Sequence, residues 1–386
     1  MKTKFIPFHK PYITEEEIEN VIDSLKNGWL TMGKKTIEFE ERFKSYIGSQ
    51  HAVAVNSCTA ALHLALRVIG IKEGDEIIVP TTTFVATAEV VNYFNAKPVL
   101  VDVERDTHLI DVEKIEEKIT KRTKAIIPVH FSGQPADMDP IMELAKKYNL
   151  FVVEDAAHSL PAWYKGRKIG TIGDITAFSF YATKTITTGE GGMATTDNPE
   201  WAERMRILRL HGISKDAWKR YTKEGSWEYD VLENGYKYNT TDINAALGLA
   251  QLKKADWLWK RRKHIAERYN EVFKDYEELI LYRVKEDRIS SWHLYPLKLN
   301  LEALKIDRNR FIEELKKRGI GTSVHFIPLY RFTYYKEKFG YTPQEFPNSE
   351  WIFERVLSLP IYPGMTEEEI DYVIENVVDI VKTYRR

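Results

Sequence analysis

The residues able to do chemistry fall in three clusters, each directly after a β-like run. The densest is GDITAFSFYATKTITTGEGGMATT (173–196), where an apolar run from Ile175 to Phe180 delivers Ser179 and then Lys184, ahead of Gly189, Gly191 and Gly192. Most lysines are solvated surface charges. Lys184 has few charged neighbours, is flanked by Thr, Ser and Gly, and is bracketed by strand-like runs. A lysine drawn out of water shifts its pKa and becomes an amine nucleophile. The second cluster follows LFVVE as Asp155-Ala156-Ala157-His158. A carboxylate ending a buried strand needs a partner. A structural arginine or amide would serve, and so would the protonated ring nitrogen of a cofactor. The third follows HAVAV as Asn56-Ser57-Cys58-Thr59-Ala60-Ala61, a strand-to-helix turn. Free N–H groups and the positive dipole end let such a turn hold a phosphate. A plain N-cap by Ser57 or Thr59 explains it equally well. After KAIIPVH, the Gly133-Gln134-Pro135 turn could line a pocket, whereas His130 by itself reads as core or loop filler.

A phosphate cradle, a strand-end carboxylate and an isolated lysine on one sheet are what pyridoxal phosphate (PLP) requires. Phe84, opening the helix after VPTTT, could stack on its ring. Other chemistries fit less well. The turn at 56–61 is neither a P-loop nor GxGxxG, and the ten histidines show no metal-binding spacing.

The elements that must position these residues alternate β and α. Strand-like runs fall at 51–55, 76–79, 98–103, 125–129, 150–153, 175–180 and 192–195. Helical patterns at 59–69, 84–94, 112–119 and 138–148 lie between most of them. Runs of apolar residues without polar alternation predict a mostly parallel sheet of seven strands buried on both faces. Ahead of it, Thr14 and Glu17 form a capping box before the stripe Ile18, Val21, Ile22 and Leu25. Asn27-Gly28 ends that helix, the loop GWLTMG (28–33) follows, and a second helix spans about 36–46. A large α/β domain over 1–250 is expected. A long helix, about 241–273, then leads into a smaller α+β domain over 251–386. That domain should hold strands at 292–299 and 321–326, a helix at 308–318 and a final helix capped by Thr366 and Glu369.

Composition bounds the remaining classes. A chain of 386 residues, 43% apolar and 29% charged, builds a substantial core. A net charge of −1 leaves no electrostatic footprint for nucleic acid or anionic membrane. The single cysteine, Cys58, excludes an intrachain disulfide and suits a reducing compartment. With no apolar leader and no window of ~18 apolar residues, a soluble cytoplasmic protein is expected.

The ordered blocks NSCTAALHLAL (56–66), VPTTTFVAT (79–87), VHFSGQPADMD (129–139), EDAAH (154–158), SFYATK (179–184), GEGGM (189–193) and YNTTDINAALGLAQL (238–252) are distinctive. With GWLTMG and SLPIYPGMTEEE (358–369), they resemble the DegT/DnrJ/EryC1/StrS family of PLP-dependent sugar-nucleotide aminotransferases, of the aspartate aminotransferase (type I) fold. The resemblance implies Lys184 as the lysine that binds PLP covalently and shuttles the proton, and Asp155 as partner of the pyridine nitrogen. It implies His158 near the ring hydroxyl, Cys58, Thr59 and Ser179 at the phosphate, and Phe84 on the ring. Asn239 would reach the phosphate from the neighbouring subunit of a homodimer with shared active sites. His325 and the GWLTMG loop, with Trp29 and Thr31, resemble substrate-side elements. Three positions depart from the usual pattern: Cys58 for Gly or Ala, Phe84 for Trp or Tyr, and Thr240 for Met or Leu.

The implied reaction takes an amino group from glutamate, leaves 2-oxoglutarate, and passes the group to a ketone on a nucleotide-linked sugar. YKYNTTDINAA and WHL (292–294) resemble members that aminate C4 of UDP-4-keto sugars. Rival readings are a 3-keto-sugar aminotransferase and a non-catalytic regulator on the same fold. A dehydratase branch, in which histidine replaces the lysine, is opposed by Lys184.

Overall fold

Short apolar runs need cover on both faces. The computed structural model, which describes residues 5–214 and 228–386, provides that cover. From one edge, the seven-stranded sheet runs His51–Val55, Gly192–Thr196, Ile175–Ser179, Phe151–Asp155, Thr123–Ile126, Glu76–Pro80 and Lys97–Val101. Gly192–Thr196 is antiparallel to both its neighbours, and every other pairing is parallel. Six strands therefore end on the same edge, where ligands collect in open α/β sheets. Alternation splits the apolar residues between two buried clusters. Val152 and Phe178 join Phe39 and Phe43 on one face, while Val153 and Ala177 join Leu62 and Leu64 on the other.

The helix Cys58–Val68 begins where the turn chemistry placed it, with the Ser57 side chain accepting from Ala60 N at 3.1 Å. Met138–Tyr148 matches the expected helix, and Glu367–Tyr384 starts at the expected capping box. That last helix buries Ile370, Val373, Ile374 and Val377 as one face. Each such side chain contributes about 1.5–3 kcal/mol of gross hydrophobic stabilisation.

Four expectations need correction. The pattern at 112–119 forms two short 3₁₀ turns, Val112–Lys114 and Glu116–Lys118, joined at the buried Ile115 and bonded i→i−3 (Ile115 N on Val112 O, Lys118 N on Ile115 O) instead of one α-helix. The helix expected at 84–94 is only Ala86–Asn92, because its two ends tighten into i→i−3 bonds, Thr87 N on Phe84 O and Phe94 N on Val91 O. The long helix breaks at Lys254 into Asp242–Lys253 and Ala255–Phe273. The first piece packs against the helices Glu15–Asn27 and Lys34–Ile47, the second against Glu367–Tyr384. Two different packing partners replace one straight rod. No strand forms at 321–326; only Ser323 bridges to Ser358, and the following residues line a cavity instead.

The C-terminal part carries its own antiparallel sheet, ordered Leu279–Ile280, Tyr295–Leu299, Val356–Leu359. The N-terminal segment crosses over to it, with Gly321 N donating to Ile6 O at 2.8 Å.

Helix Glu15–Asn27 is oriented against its pattern. Its polar face is buried: Gln251 Nε2 donates to Glu17 at 2.8 Å and Lys254 pairs with the same carboxylate. Ile18, Ile22 and Leu25 are left exposed.

Candidate active site

At the carboxyl edge of the sheet lies a cavity of about 610 Å³ that gathers all three chemical clusters. Lys184 sits in the turn after Ile175–Ser179, its amide donating to Tyr181 O at 2.9 Å. The turn is closed by Thr188 N on Phe180 O (2.9 Å) and Phe180 N on Gly191 O (2.9 Å). The ammonium opens only onto the cavity, and burial draws its pKa down from 10.5 to about 8; Cys58 and Asp155 oppose that shift and Arg262 adds to it. The neutral amine is therefore far more accessible near neutral pH than in a solvated lysine, although the ammonium is still the major form.

Asp155 ends strand Phe151–Asp155 and faces the same cavity. Thr87 Oγ1 donates to its Oδ2 at 2.7 Å and Ala157 N to its Oδ1 at 3.1 Å. Thr87 is itself 2.7 Å from Thr83 Oγ1, so a pair of hydroxyls backs the carboxylate. The preceding Glu154 points to the other face and bonds the buried His130 at 2.8 Å. Burial pushes the Glu154 carboxyl up, but His130, Gly173 N and Thr176 together outweigh it and hold it low. His130 is a core residue.

Ser57, Cys58, Thr59 and Ser179 line the cavity's floor. Among the described residues, the amides of Cys58 and Thr59 have no protein acceptor. Strand Gly192–Thr196 passes so close that a Cβ on Gly192 would sit 2.4 Å from the Ser57 carbonyl carbon. Only glycine permits that approach. Burial pushes the Cys58 thiol up, which leaves it protonated.

His158, His293, His325 and His9 ring the remaining wall. Burial holds all four well below the ordinary imidazole range, His9 and His325 to about 3. His158 Nδ1 accepts from Ser132 N at 3.3 Å, which puts the proton of the neutral ring on Nε2. Phe84 is 59% exposed at the mouth, its ring 6.2 Å from that of Phe326.

Of the expected residues, Cys58, Thr59, Phe84, Asp155, His158, Ser179, Lys184 and His325 therefore share one cavity. Asn239, Trp29 and Thr31 do not line it within one chain. Asn239 Nδ2 donates to Thr240 O at 3.0 Å, while its Oδ1 is buried without a partner. Trp29 Nε1 donates to Met32 O at 3.1 Å. Thr31 O accepts from Asp242 N at 3.0 Å. The Asp242 carboxylate in turn caps helix Lys34–Ile47, taking Gly33 N at 2.8 Å and Thr36 N at 2.9 Å. Sequence reasoning missed Thr87, His9, His293, Phe326 and Arg262. Thr87 and His293 lay inside conspicuous blocks, whereas Arg262 sat in a basic run, KRRK (260–263), that reads as a solvated face.

The DegT/DnrJ/EryC1/StrS aminotransferase family model matches residues 11–378. The chain belongs to this family. It is 50% identical to the spore coat polysaccharide biosynthesis protein SpsC of Bacillus subtilis, over 99% of this chain and 98% of the relative. Spr1654 of Streptococcus pneumoniae, solved in a PLP form, superimposes with a TM-score of 0.91 at 39% identity, covering 98% of this chain and 99% of that one. PseC of Helicobacter pylori, an aminotransferase involved in pseudoaminic acid biosynthesis, gives 0.92 at 31% identity over 98% and 100%. The protein is a PLP-dependent aminotransferase of the type I fold.

The residues present fit that cofactor. Free amides at a helix N-terminus suit a phosphate, a fixed carboxylate suits a ring N–H, and the cavity of about 610 Å³ lies within the size range of cofactor sites.

Proposed function

We propose that this aminotransferase moves an amino group from glutamate to the C4 keto group of a UDP-linked deoxy sugar, making a nucleotide aminosugar for a cell-surface glycan. The observation that carries the catalytic part is that Lys184, with its pKa drawn down to about 8, opens onto the same cavity as Asp155. When bound, PLP supplies an electron sink that stabilises negative charge on the carbon losing its proton. The chain's own groups do the rest. Lys184 Nζ takes a proton from one carbon and returns it to another, which a neutral amine does and an ammonium does not. Asp155, fixed by Thr87 and Ala157, would pair with the ring nitrogen and keep it protonated. Cys58 N, Thr59 N and the Ser179 hydroxyl would hold the phosphate, Phe84 would stack on the ring, and His158 Nε2–H would serve as a donor near the ring hydroxyl. The neutral histidines at the wall offer N–H donors to the donor carboxylate and sugar hydroxyls, with His325 on the substrate side.

The sugar acceptor is supported by the chain's relatives: SpsC is a spore coat polysaccharide biosynthesis protein and PseC an aminotransferase of pseudoaminic acid biosynthesis. C4 and UDP are supported by the YKYNTTDINAA and WHL segments, of which His293 and Leu294 line the cavity. A homodimer with shared sites is supported by the exposed Ile18, Ile22 and Leu25, and by the unpartnered Asn239 Oδ1. Trp29 and Thr31 would likewise serve the partner's cavity. Two domains, 1–250 and 251–386, are supported by the helix break at Lys254 and by a seven-stranded sheet drawn wholly from the first part and the sheet of Leu279–Ile280, Tyr295–Leu299 and Val356–Leu359 drawn wholly from the second, while a small third sheet, in which Arg288–Ile289 pairs with Trp163–Tyr164, links the two. A cytoplasmic location is supported by the lone cysteine, and among the described residues no helix is long and apolar enough to cross a membrane.

The test begins with the absorbance spectrum before and after glutamate, followed by borohydride reduction and peptide mapping. Conversion to the pyridoxamine form and a reduced adduct on Lys184 are expected, and Lys184→Ala should abolish both with the fold intact. Turnover retained in that variant overturns the role of Lys184. Incubation with UDP- and dTDP-linked 4-keto and 3-keto sugars then reads the acceptor. Amination at C3 alone, or of a dTDP sugar alone, replaces the finer assignment.

A further inference from the structure

Arg262 lies in the middle of helix Ala255–Phe273 and is completely buried. Its guanidinium meets only carbonyl oxygens. Nη1 donates to Ile361 O at 2.8 Å and His293 O at 3.0 Å, and Nη2 donates to Thr183 O at 3.3 Å. Nε is buried with no acceptor. Among the described residues no carboxylate pairs with it, and burial alone draws its pKa down to about 9, so it keeps its charge at neutral pH. A buried cation is costly unless a counter-ion or strong hydrogen bonds offset the lost hydration. Carbonyls take three of the five N–H groups without cancelling the charge, so the field persists into the low-dielectric surroundings.

The acceptors are not scattered. Thr183 immediately precedes Lys184, while His293 and Ile361 belong to C-terminal segments whose side chains line the same cavity. One side chain therefore ties three separate stretches of chain at the point where Lys184 emerges. The charged and titratable groups facing Lys184 come from every side. Tyr181 and Glu190 stand on its own turn, Cys58 at the helix N-terminus and Asp155 at the strand end. His9, His158, His293 and His325 form the wall, and all four are held neutral by burial. With the histidines neutral, Arg262 is, among the described residues, the fixed cation that acts on Lys184.

We propose that Arg262 is a positioning residue for Lys184: its bond to Thr183 O ties the turn that presents the amine to the His293 and Ile361 carbonyls, and its uncancelled charge favours the neutral, proton-accepting form of that amine. The proposal rests on the reading of Lys184 as the reactive lysine, and the two fail separately. A wrong assignment of Lys184 appears in the reduction and peptide mapping, whereas a wrong role for Arg262 appears in how Lys184 titrates.

The experiment follows Lys184 in the cofactor-free protein through the pH dependence of its labelling by an amine-selective reagent, read by mass spectrometry on its peptide. The holoenzyme is titrated alongside by absorbance, and melting temperatures are recorded. In the wild type the labelling midpoint should lie far below that of surface lysines. Arg262→Met, which loses the charge, should raise the Lys184 protonation constant at least about threefold. Arg262→Lys keeps a charge on a shorter reach and loses the fork. Its melting temperature should fall much as that of Arg262→Met, while its midpoint stays near the wild-type value. If Arg262→Met does not fold, Arg262→Gln, whose amide can still donate to a carbonyl, takes its place with the same upward shift expected. A wild-type midpoint in the ordinary lysine range overturns the proposal without any variant. So does an unchanged midpoint in a folded variant lacking the charge. An equal shift in Arg262→Lys reduces Arg262 to a structural pin and overturns the electrostatic role.

Discussion

Asp155 has both oxygens engaged by its own chain, Oδ2 by Thr87 and Oδ1 by Ala157, so its carboxylate has one orientation before any cofactor arrives. The Thr87 hydroxyl is the replaceable member of that arrangement. A hydroxyl bond to a carboxylate is worth about 1.5–3 kcal/mol, so Thr87→Val should weaken PLP binding on the order of tenfold or more. Thr87→Ser, which keeps the hydroxyl, should bind near the wild-type level. Titrating the cofactor-free protein with PLP measures this, and equal affinities for Val and wild type would remove Thr87 from the site. Thr87 stood within VPTTTFVAT, but nothing in the sequence says which of four threonines turns toward a strand 68 residues away. Asp155 was legible because it ends an apolar run, and Lys184 because it stands nearly alone among charges between two strand-like runs. His9 was not, since the contact that places it, Nε2 on Ala182 O at 3.0 Å, spans 173 residues.

Elements obey local rules where a cap or a periodicity is complete, and depart where packing decides. The segment before the 3₁₀ turns at 112–118 holds His108, buried, with both ring nitrogens lacking partners. Burial, with Lys298 adding to it, keeps its pKa well below 6.5. The unfolded chain takes up that proton below pH 6.5 while the folded chain refuses it. Stability is therefore complete above pH 6.5 and declines as the pH falls below it. The slope approaches about 1.4 kcal/mol per pH unit for one such group. His108→Asn, which tolerates the positive φ of 58° there, should flatten the decline. The comparison is between slopes of urea midpoints from pH 6.5 to 5, and parallel slopes would show that His108 does not set acid stability. Helix Glu15–Asn27 shows the other side of element-scale logic. Its capping box forms as written, with Thr14 N on Glu17 Oε2 at 2.8 Å, yet its apolar stripe faces out. The period gives the helix; only its neighbours decide which face they cover.

At the scale of the whole molecule, one chain supplies a nearly complete cavity and leaves Trp29, Thr31 and Asn239 outside it. If Asn239 serves a neighbouring subunit, mixing Asn239→Ala with Lys184→Ala chains should restore part of the activity that each lacks alone, because a mixed dimer then has one intact site. Subunit exchange confirmed by mass, with no recovered activity, would place Asn239 in its own chain's site or outside any site. The β-α alternation, the apolar strands buried on both faces, the capped helices and the placing of Lys184, Asp155 and Cys58 after their strands were all in the sequence. They depend on residue type and on spacing within a few residues, which local sterics and periodicity read directly. The tertiary structure alone decided the rest. It broke the long helix at Lys254, turned 321–326 from a strand into a cavity wall, faced Ile18 and Leu25 outward, and buried Arg262 from a basic run against the carbonyl of Thr183. Each of these depends on which surfaces meet across many tens of residues. Burial energy, hydrogen-bond satisfaction and charge are settled there by the assembled neighbours, not by the local chain.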